Sequence, residues 1–177
     1  MEVYLASAAG LLSWCGKWRK IPTPLAHPTL LAACGADVAL ADSVNRLLYR
    51  QGRISTLPPG VEVLRCWRNQ LLTLSSETNC LTLYDAHDYP LVTSPAGIRP
   101  CDCAVVDCQV IVCGCEDGCL HIFSLPDLRE IAAYPVPGCP MRVAADGGVL
   151  TCLSLLSPDP PQTLLFRLCL TSGDFAP

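Results

Sequence analysis

The chain has 177 residues, of which 51% are hydrophobic and 16% charged, with a formal net charge of −4 and a pI near 5.2. One domain suits that length. Its 12 Lys and Arg are scattered apart from Lys17, Arg19 and Lys20, which excludes the basic stripe a phosphate backbone demands, so no nucleic-acid partner is expected.

Met1 to Ala9 is too short and too mildly apolar, without a basic leader, for a secretory signal. No apolar run approaches the roughly 18 to 20 residues of a membrane helix. A soluble, cytoplasmic protein with no membrane partner is the expectation. The predicted strands then follow one another with short polar turns between. A run at Val3 to Ala6 is followed by Leu12 to Trp14, then Val38 to Ala41 and Leu47 to Tyr49, then Gly60 to Trp67, Leu71 to Leu74, Leu81 to Tyr84 and Tyr89 to Thr93. Pro100 to Val106, Val110 to Cys113, Leu120 to Phe123 and Glu130 to Tyr134 come next, and Val149 to Cys152 and Leu164 to Phe166 close the series. Polar turns between alternating apolar runs are the hairpin signal, and Glu116-Asp117-Gly118 is the clearest of them.

The pattern is a repeat. Asn69 to Tyr84 returns as Cys108 to Phe123, 39 residues later, and the first strong runs near residues 3, 38, 71, 110 and 149 are spaced by 35, 33, 39 and 39. Four short strands per roughly forty residues is the signature of a propeller blade, a unit that buries its faces only against its neighbours. The 16 prolines and 12 glycines interrupt any helical period within about two turns. The expected fold is all-β, a single propeller-like array over 1–177 of four to five four-stranded antiparallel blades, open or completed by oligomerisation.

Two stretches resemble known propeller families. Ala41-Asp-Ser-Val-Asn-Arg-Leu47 is similar to the strand-turn-strand core of NHL-type blades, and Val110 to Asp127 resembles the layout of YVTN-type blades. The resemblance implies a propeller, and such families usually close six to eight blades. This chain supplies between four and five. The chain is then a tight five-bladed ring in which Met1 to Pro24 completes the final blade, a piece of something longer, or, as favoured here, an open arc whose unburied outer faces drive association, with a protein partner or a second copy meeting the first unit around Trp14 and Trp18 and the last around Leu164 to Leu170.

Thirteen cysteines require an account. Their odd number and the missing leader favour reduced thiols. Cys101, Cys103, Cys108, Cys113, Cys115 and Cys119 crowd together, but without a Cys-x-x-Cys knuckle they do not have the usual metal spacing. Set in repeat register, Cys80 matches Cys119, Cys66 matches Cys103, and Cys113 matches Cys152, with Leu74 and Val143 at equivalent sites. Cysteine here exchanges with apolar residues as a small buried hydrophobe.

Chemistry has few anchors. His27, His87 and His121 fall in separate places, and His87 beside Asp88 lacks a nucleophile on a recognisable elbow. Arg65, Asp102 and Arg142 fall at one innermost-strand position of successive units. The turn residues Asp42, Asn45, Glu77, Glu116 and Asp117 are expected around the same mouth, a place where propellers bind small molecules, peptides or proteins. Trp14, Tyr49, Tyr84 and Phe123 recur at equivalent positions as packing, whereas Trp18 and Trp67 have no repeat equivalents and are the aromatic candidates for a partner surface. The leading expectation is a non-enzymatic interaction or scaffold module without a cofactor. A small-molecule or divalent-cation-dependent hydrolase or sensor using the polar mouth, and a thiol-based metal or redox protein, are the alternatives.

Overall fold

The structure is a computed structural model and describes residues 3–7, 10–14, 17–34, 37–114, 116–146 and 148–169. It contains five antiparallel sheets and, among the described residues, no helix. The first sheet is β1 (Val3–Ser7), β2 (Gly10–Trp14) and β3 (Trp18–Ile21). The second is β4 (Leu30–Cys34), β5 (Asp37–Asp42), β6 (Leu47–Arg50) and β7 (Arg53–Thr56). The third is β8 (Val61–Trp67), β9 (Gln70–Ser75), β10 (Cys80–Tyr84) and β11 (Pro90–Pro95). The fourth is β12 (Asp102–Val106), β13 (Gln109–Cys113), β14 (Cys119–Ser124) and β15 (Glu130–Pro135). The fifth is β16 (Cys139–Asp146), β17 (Val149–Pro158) and β18 (Pro161–Cys169).

Each sheet is a meander in which every strand pairs with its sequence neighbour. Short loops enforce this, because antiparallel neighbours can be joined by a few residues whereas parallel ones need long crossovers. The second-to-third-strand turns of the three central sheets share one geometry. Each ends on a left-handed residue: Arg46 at φ 56°, Asn79 at 53° and Gly118 at 70°. That carbonyl then accepts the N–H of the residue just past the fourth strand, from Leu57 at 2.8 Å, Ala96 at 2.9 Å and Val136 at 3.1 Å. The hairpin tip therefore anchors the chain as it leaves for the next sheet.

Successive sheets bury their faces against each other. Leu11 and Leu25 meet Leu40 between the first and second sheets, and Ala39, Ala41 and Leu48 meet Leu64, Leu71 and Tyr84 between the second and third. Leu72, Leu74 and Leu83 pack on Val110, Val112 and Phe123, and Ile111, Leu120 and Ile122 on Val143, Leu150 and Cys152. Leu71 and Leu72 thus face opposite interfaces. Double coverage explains why β9 and β13 read as nearly continuous apolar runs rather than as alternations with one wet face. The first strands β4, β8, β12 and β16 lie side by side and border a cavity of about 410 Å³ lined by 31–33, 64–66, 104–105 and 143–145.

Candidate functional site

Three of the expected site residues meet at one end of that row of first strands, around a second cavity of about 290 Å³ lined by Glu62, Arg65, Cys101, Asp102 and Arg142, with the apolar residues Leu30, Leu31, Val63 and Leu64. Asp102 is only 6% exposed, and its carboxylate is fully engaged. Oδ1 accepts from Arg65 Nη2 at 2.8 Å and from its neighbour Cys103 N at 2.9 Å, while Oδ2 accepts from Val143 N at 3.1 Å. Asp102 therefore joins the third, fourth and fifth sheets. Arg65 also donates through Nε to Cys103 O at 2.8 Å and through Nη1 to Leu64 O at 2.9 Å. Arg142 stays exposed, and its Nη1 donates to Cys101 O at 3.2 Å and Met141 O at 3.1 Å.

The three are neighbours but do not share one register. Arg65 pairs with Leu72, Asp102 with Cys113 and Arg142 with Leu153. By repeat, Asp102 stands opposite Cys113 as Val63 stands opposite Leu74 and Val143 opposite Cys152. Along the first strands Arg65 lies 37 residues before Asp102 and Arg142 lies 40 after it, against the 39-residue repeat of the second strands, so the three sit at different depths. The same correction separates Cys66, which pairs with Leu71, from Cys103, which pairs with Val112, and Cys103 from Val143.

The turn residues have local roles. Asp42 is buried; its Oδ1 accepts from Asn45 N at 2.9 Å and its Oδ2 from Asn45 Nδ2 at 2.8 Å and from His27 N at 3.0 Å. Burial alone would raise the Asp42 carboxyl, but the side-chain and backbone bonds from Asn45 and the backbone bond from His27 hold it below its ordinary value. Ser75 closes the equivalent turn of the third sheet, accepting from Thr78 N at 3.0 Å and donating to Pro59 O at 2.7 Å. Glu77 is exposed beside Ser76, whose hydroxyl donates to Glu62. Gly60, at φ 65°, lies so close that a Cβ there would stand 2.3 Å from Glu77 Cβ. Glu116 makes an exposed pair with Arg99 at 3.1 Å. Asp117 and Glu130 hold His121 between them, Asp117 Oδ2 at 2.9 Å from Nε2 and Glu130 Oε1 at 2.7 Å from Nδ1.

The sequence reading missed Arg50. It occupies the strand position that Leu83 and Ile122 hold in the next two sheets, and it is 1% exposed. Its guanidinium bridges to the third sheet, with Nη2 donating to Asn69 O at 2.6 Å and Nη1 to Asp85 O at 3.1 Å, and with Asp88 Oδ1 at 3.4 Å. Nε has no partner. Asp85 in turn orders the loop by accepting from His87 N at 2.7 Å and Tyr89 N at 2.9 Å. The backbone bond from Tyr89, reinforced by that from His87, holds its carboxyl below the ordinary value against its desolvation. His87 thus belongs to a turn, with Arg53 Nη1 3.5 Å from its Nδ1.

Two aromatic expectations divide. Trp67 is 8% exposed, donates from Nε1 to Asp107 O at 2.7 Å, and has the Arg68 guanidinium 4.5 Å from its ring centroid, so it belongs to the packing. Trp18 is 51% exposed and lies against Trp14 with centroids 5.3 Å apart and planes at 57°. Tyr49 pairs with Leu40, whereas Tyr84 pairs with Leu71 and Phe123 with Val110, so Tyr49 stands two residues out of their register.

Cys103, Cys113 and Cys152 are fully buried free thiols, as exchange with Leu and Val implies. Cys66 is disulfide-bonded, which corrects the expectation of wholly reduced thiols. Cys115 and the end of the 164–170 segment lie outside the described residues. Among the described residues no three His, Cys, Asp or Glu side chains are grouped to hold a metal ion.

No family model matches this chain, and no curated protein does. Solved structures do. A computationally designed protein, Ika4, matches with a TM-score of 0.62 at 10% identity, covering 80% of this chain and 91% of its own. Hydrazine synthase of Kuenenia stuttgartiensis matches at 0.66 and 11%, covering 82% of this chain and 47% of its own. BBS1N, solved in complex with ARL6DN, matches at 0.69 and 9%, covering 98% of this chain and 58% of its own. This chain therefore spans nearly the whole of Ika4 but about half of the other two. At such identities the likeness is one of fold alone, an all-β array of small antiparallel sheets.

Proposed function

We propose that this protein is a non-enzymatic interaction module built on a propeller-like array, and that its first sheet carries the contact face. The observation that carries this reading is the exposed Trp14–Trp18 pair on β2 and β3, flanked by the exposed cations Lys17, Arg19 and Lys20. Tryptophan and arginine dominate the binding energy of protein interfaces because they combine large apolar area with a polar handle. Burying several hundred Å² of such surface at about 25 cal/mol per Å² is enough to drive association. Exposed Leu156 and Leu165 on the fifth sheet offer a second apolar face for a partner or another copy. A divalent-cation hydrolase finds less support at the mouth, because the Asp102 oxygens already accept three bonds and two guanidiniums stand beside them.

Light scattering over a concentration series, together with an affinity column bearing the full chain, tests the reading, with Trp18→Asp as the control. The wild type is expected to self-associate or to retain a protein that Trp18→Asp loses, while the two proteins melt alike. A wild type that stays monomeric and retains nothing beyond what Trp18→Asp retains would overturn it.

A further inference from the structure

We propose that Cys101 and Cys113 form a dithiol site at the mouth of the first-strand cavity, one that reacts with small anionic disulfides of the glutathione class and closes to a Cys101–Cys113 disulfide. The site does not depend on the interaction reading.

Backbone geometry places the two cysteines together. Asp102 is the register partner of Cys113, yet Cys101 N also donates to Cys113 O at 2.9 Å. Two residues of one strand facing one of the next is the geometry of a bulge. Residues facing each other across antiparallel strands stand about 4.5–5.5 Å apart between Cα atoms, and a disulfide spans roughly 4.4–6.8 Å. Cys101 packs against the apolar cluster that holds Cys113, and its thiol donates to Met141 O at 2.9 Å. Gly114 makes the approach possible: a Cβ there would lie 2.1 Å from Cys101 Sγ, so the missing side chain leaves room for the sulfur. Its φ of 88° also favours glycine.

The pair is asymmetric. Cys101 is half-buried and lines the 290 Å³ cavity with Arg65 and Arg142. Cys113 is buried against Ile111, Leu120 and Cys152. The hydrogen bond from Cys113 holds the Cys101 thiol below its ordinary value against its own burial, and Arg142 acts in the same direction. Holding that bond, with burial, pushes the Cys113 thiol up. Cys101 is thus the attacking sulfur and Cys113 the resolving one.

The chemistry balances as ordinary exchange. The Cys101 thiolate attacks one sulfur of the incoming disulfide; that S–S bond breaks, and the first thiolate leaves and takes up the proton Cys101 released. The Cys113 sulfur, as its proton leaves, then attacks Cys101 Sγ and expels the second thiol. One external disulfide is reduced to two thiols as two cysteines are oxidised to one disulfide. Exposed Arg142, fixed to the Cys101 carbonyl, supplies the charge that receives the carboxylates of the reagent.

The test is incubation of the full chain with glutathione disulfide, alkylation of the remaining thiols and peptide mapping. The wild type is expected to yield a Cys101–Cys113 cross-link, and Cys113→Ser a glutathione adduct retained on Cys101. Arg142→Gln is expected to slow the first step about threefold with glutathione disulfide and not with neutral hydroxyethyl disulfide. First modification at Cys108 or Cys169 with Cys101 untouched, a Cys101–Cys152 cross-link, or a wild-type adduct that Cys113 never resolves would each overturn the proposal. The wild-type map decides the matter even where a variant fails to fold.

Discussion

Replacing Asp102 by alanine removes a side chain that ties three sheets together. The substitution deletes two bonds accepted by Oδ1, from Arg65 Nη2 at 2.8 Å and Cys103 N at 2.9 Å, and one accepted by Oδ2 from Val143 N at 3.1 Å. Val143 and Cys103 are both buried, so their N–H groups would be left without an acceptor at about 1–3 kcal/mol each. The Arg65 contribution is smaller, because that guanidinium is about a third exposed and solvent screens its pairing. A loss of about 3–5 kcal/mol is expected for Asp102→Ala. Asp102→Asn should lose about 2 kcal/mol or more, since an amide NH₂ cannot accept from Val143 N. Urea unfolding followed by tryptophan fluorescence measures both, as a shift in midpoint at unchanged slope. Arg65→Gln alone should cost about 1 kcal/mol or less. Asp102→Ala within about 1 kcal/mol of wild type would refute the assignment of Asp102 as a three-sheet clamp.

Other expectations follow from the same geometry. Because the Asp42 carboxyl is held below its unfolded value, its contribution is fully present above the unfolded pKa and is lost as pH falls through the folded one. Asp42→Asn should therefore destabilise the protein by about 1–2 kcal/mol at pH 7 and by less near pH 3, read from melting curves at both pH values. Arg50→Ala should cost about 3 kcal/mol or more by chemical denaturation, since it removes the donor to Asn69 O and the cation that faces the buried Asp88 carboxylate, and opens a cavity. Arg50→Leu, matching Leu83, should recover part of that loss. Burial pushes the Cys103 thiol up to about 12 and the Cys152 thiol up to about 11, so native thiol titration at pH 8 should spare both while exposed Cys108 and Cys169 react.

What the sequence determined by itself is the local layer of the structure. Strands, meander hairpins and the matching second strands β5, β9, β13 and β17 are written in alternating apolar runs and in turn residues such as Glu116-Asp117-Gly118, because backbone pairing and side-chain direction repeat every two residues. The exchange of Cys113 and Cys152 with Leu74 likewise reported burial between sheets before any contact was known. The meeting of Arg65 with Asp102 was legible only as a neighbourhood. Its register was not, since the first strands are spaced by 37 and 40 residues at these positions against 39 for the second strands, and only the strand pairing shows where each residue then sits.

The tertiary structure decided the rest. Arg50 looks like a strand-end cation, yet the loop around Asp85 and Asp88 folds back to bury it, and only the assembled second and third sheets supply those carbonyls. Trp67 looks like a free aromatic until Asp107, 40 residues away, accepts its indole N–H. Cys101 and Cys113 become a pair only when a bulge and the bare backbone of Gly114 bring the sulfurs onto one side. For Arg50 and Trp67 the deciding partner lies across a sheet-to-sheet contact, and for Cys101 across a strand pair, and a period-two pattern carries information about faces but none about which residue waits on the other side.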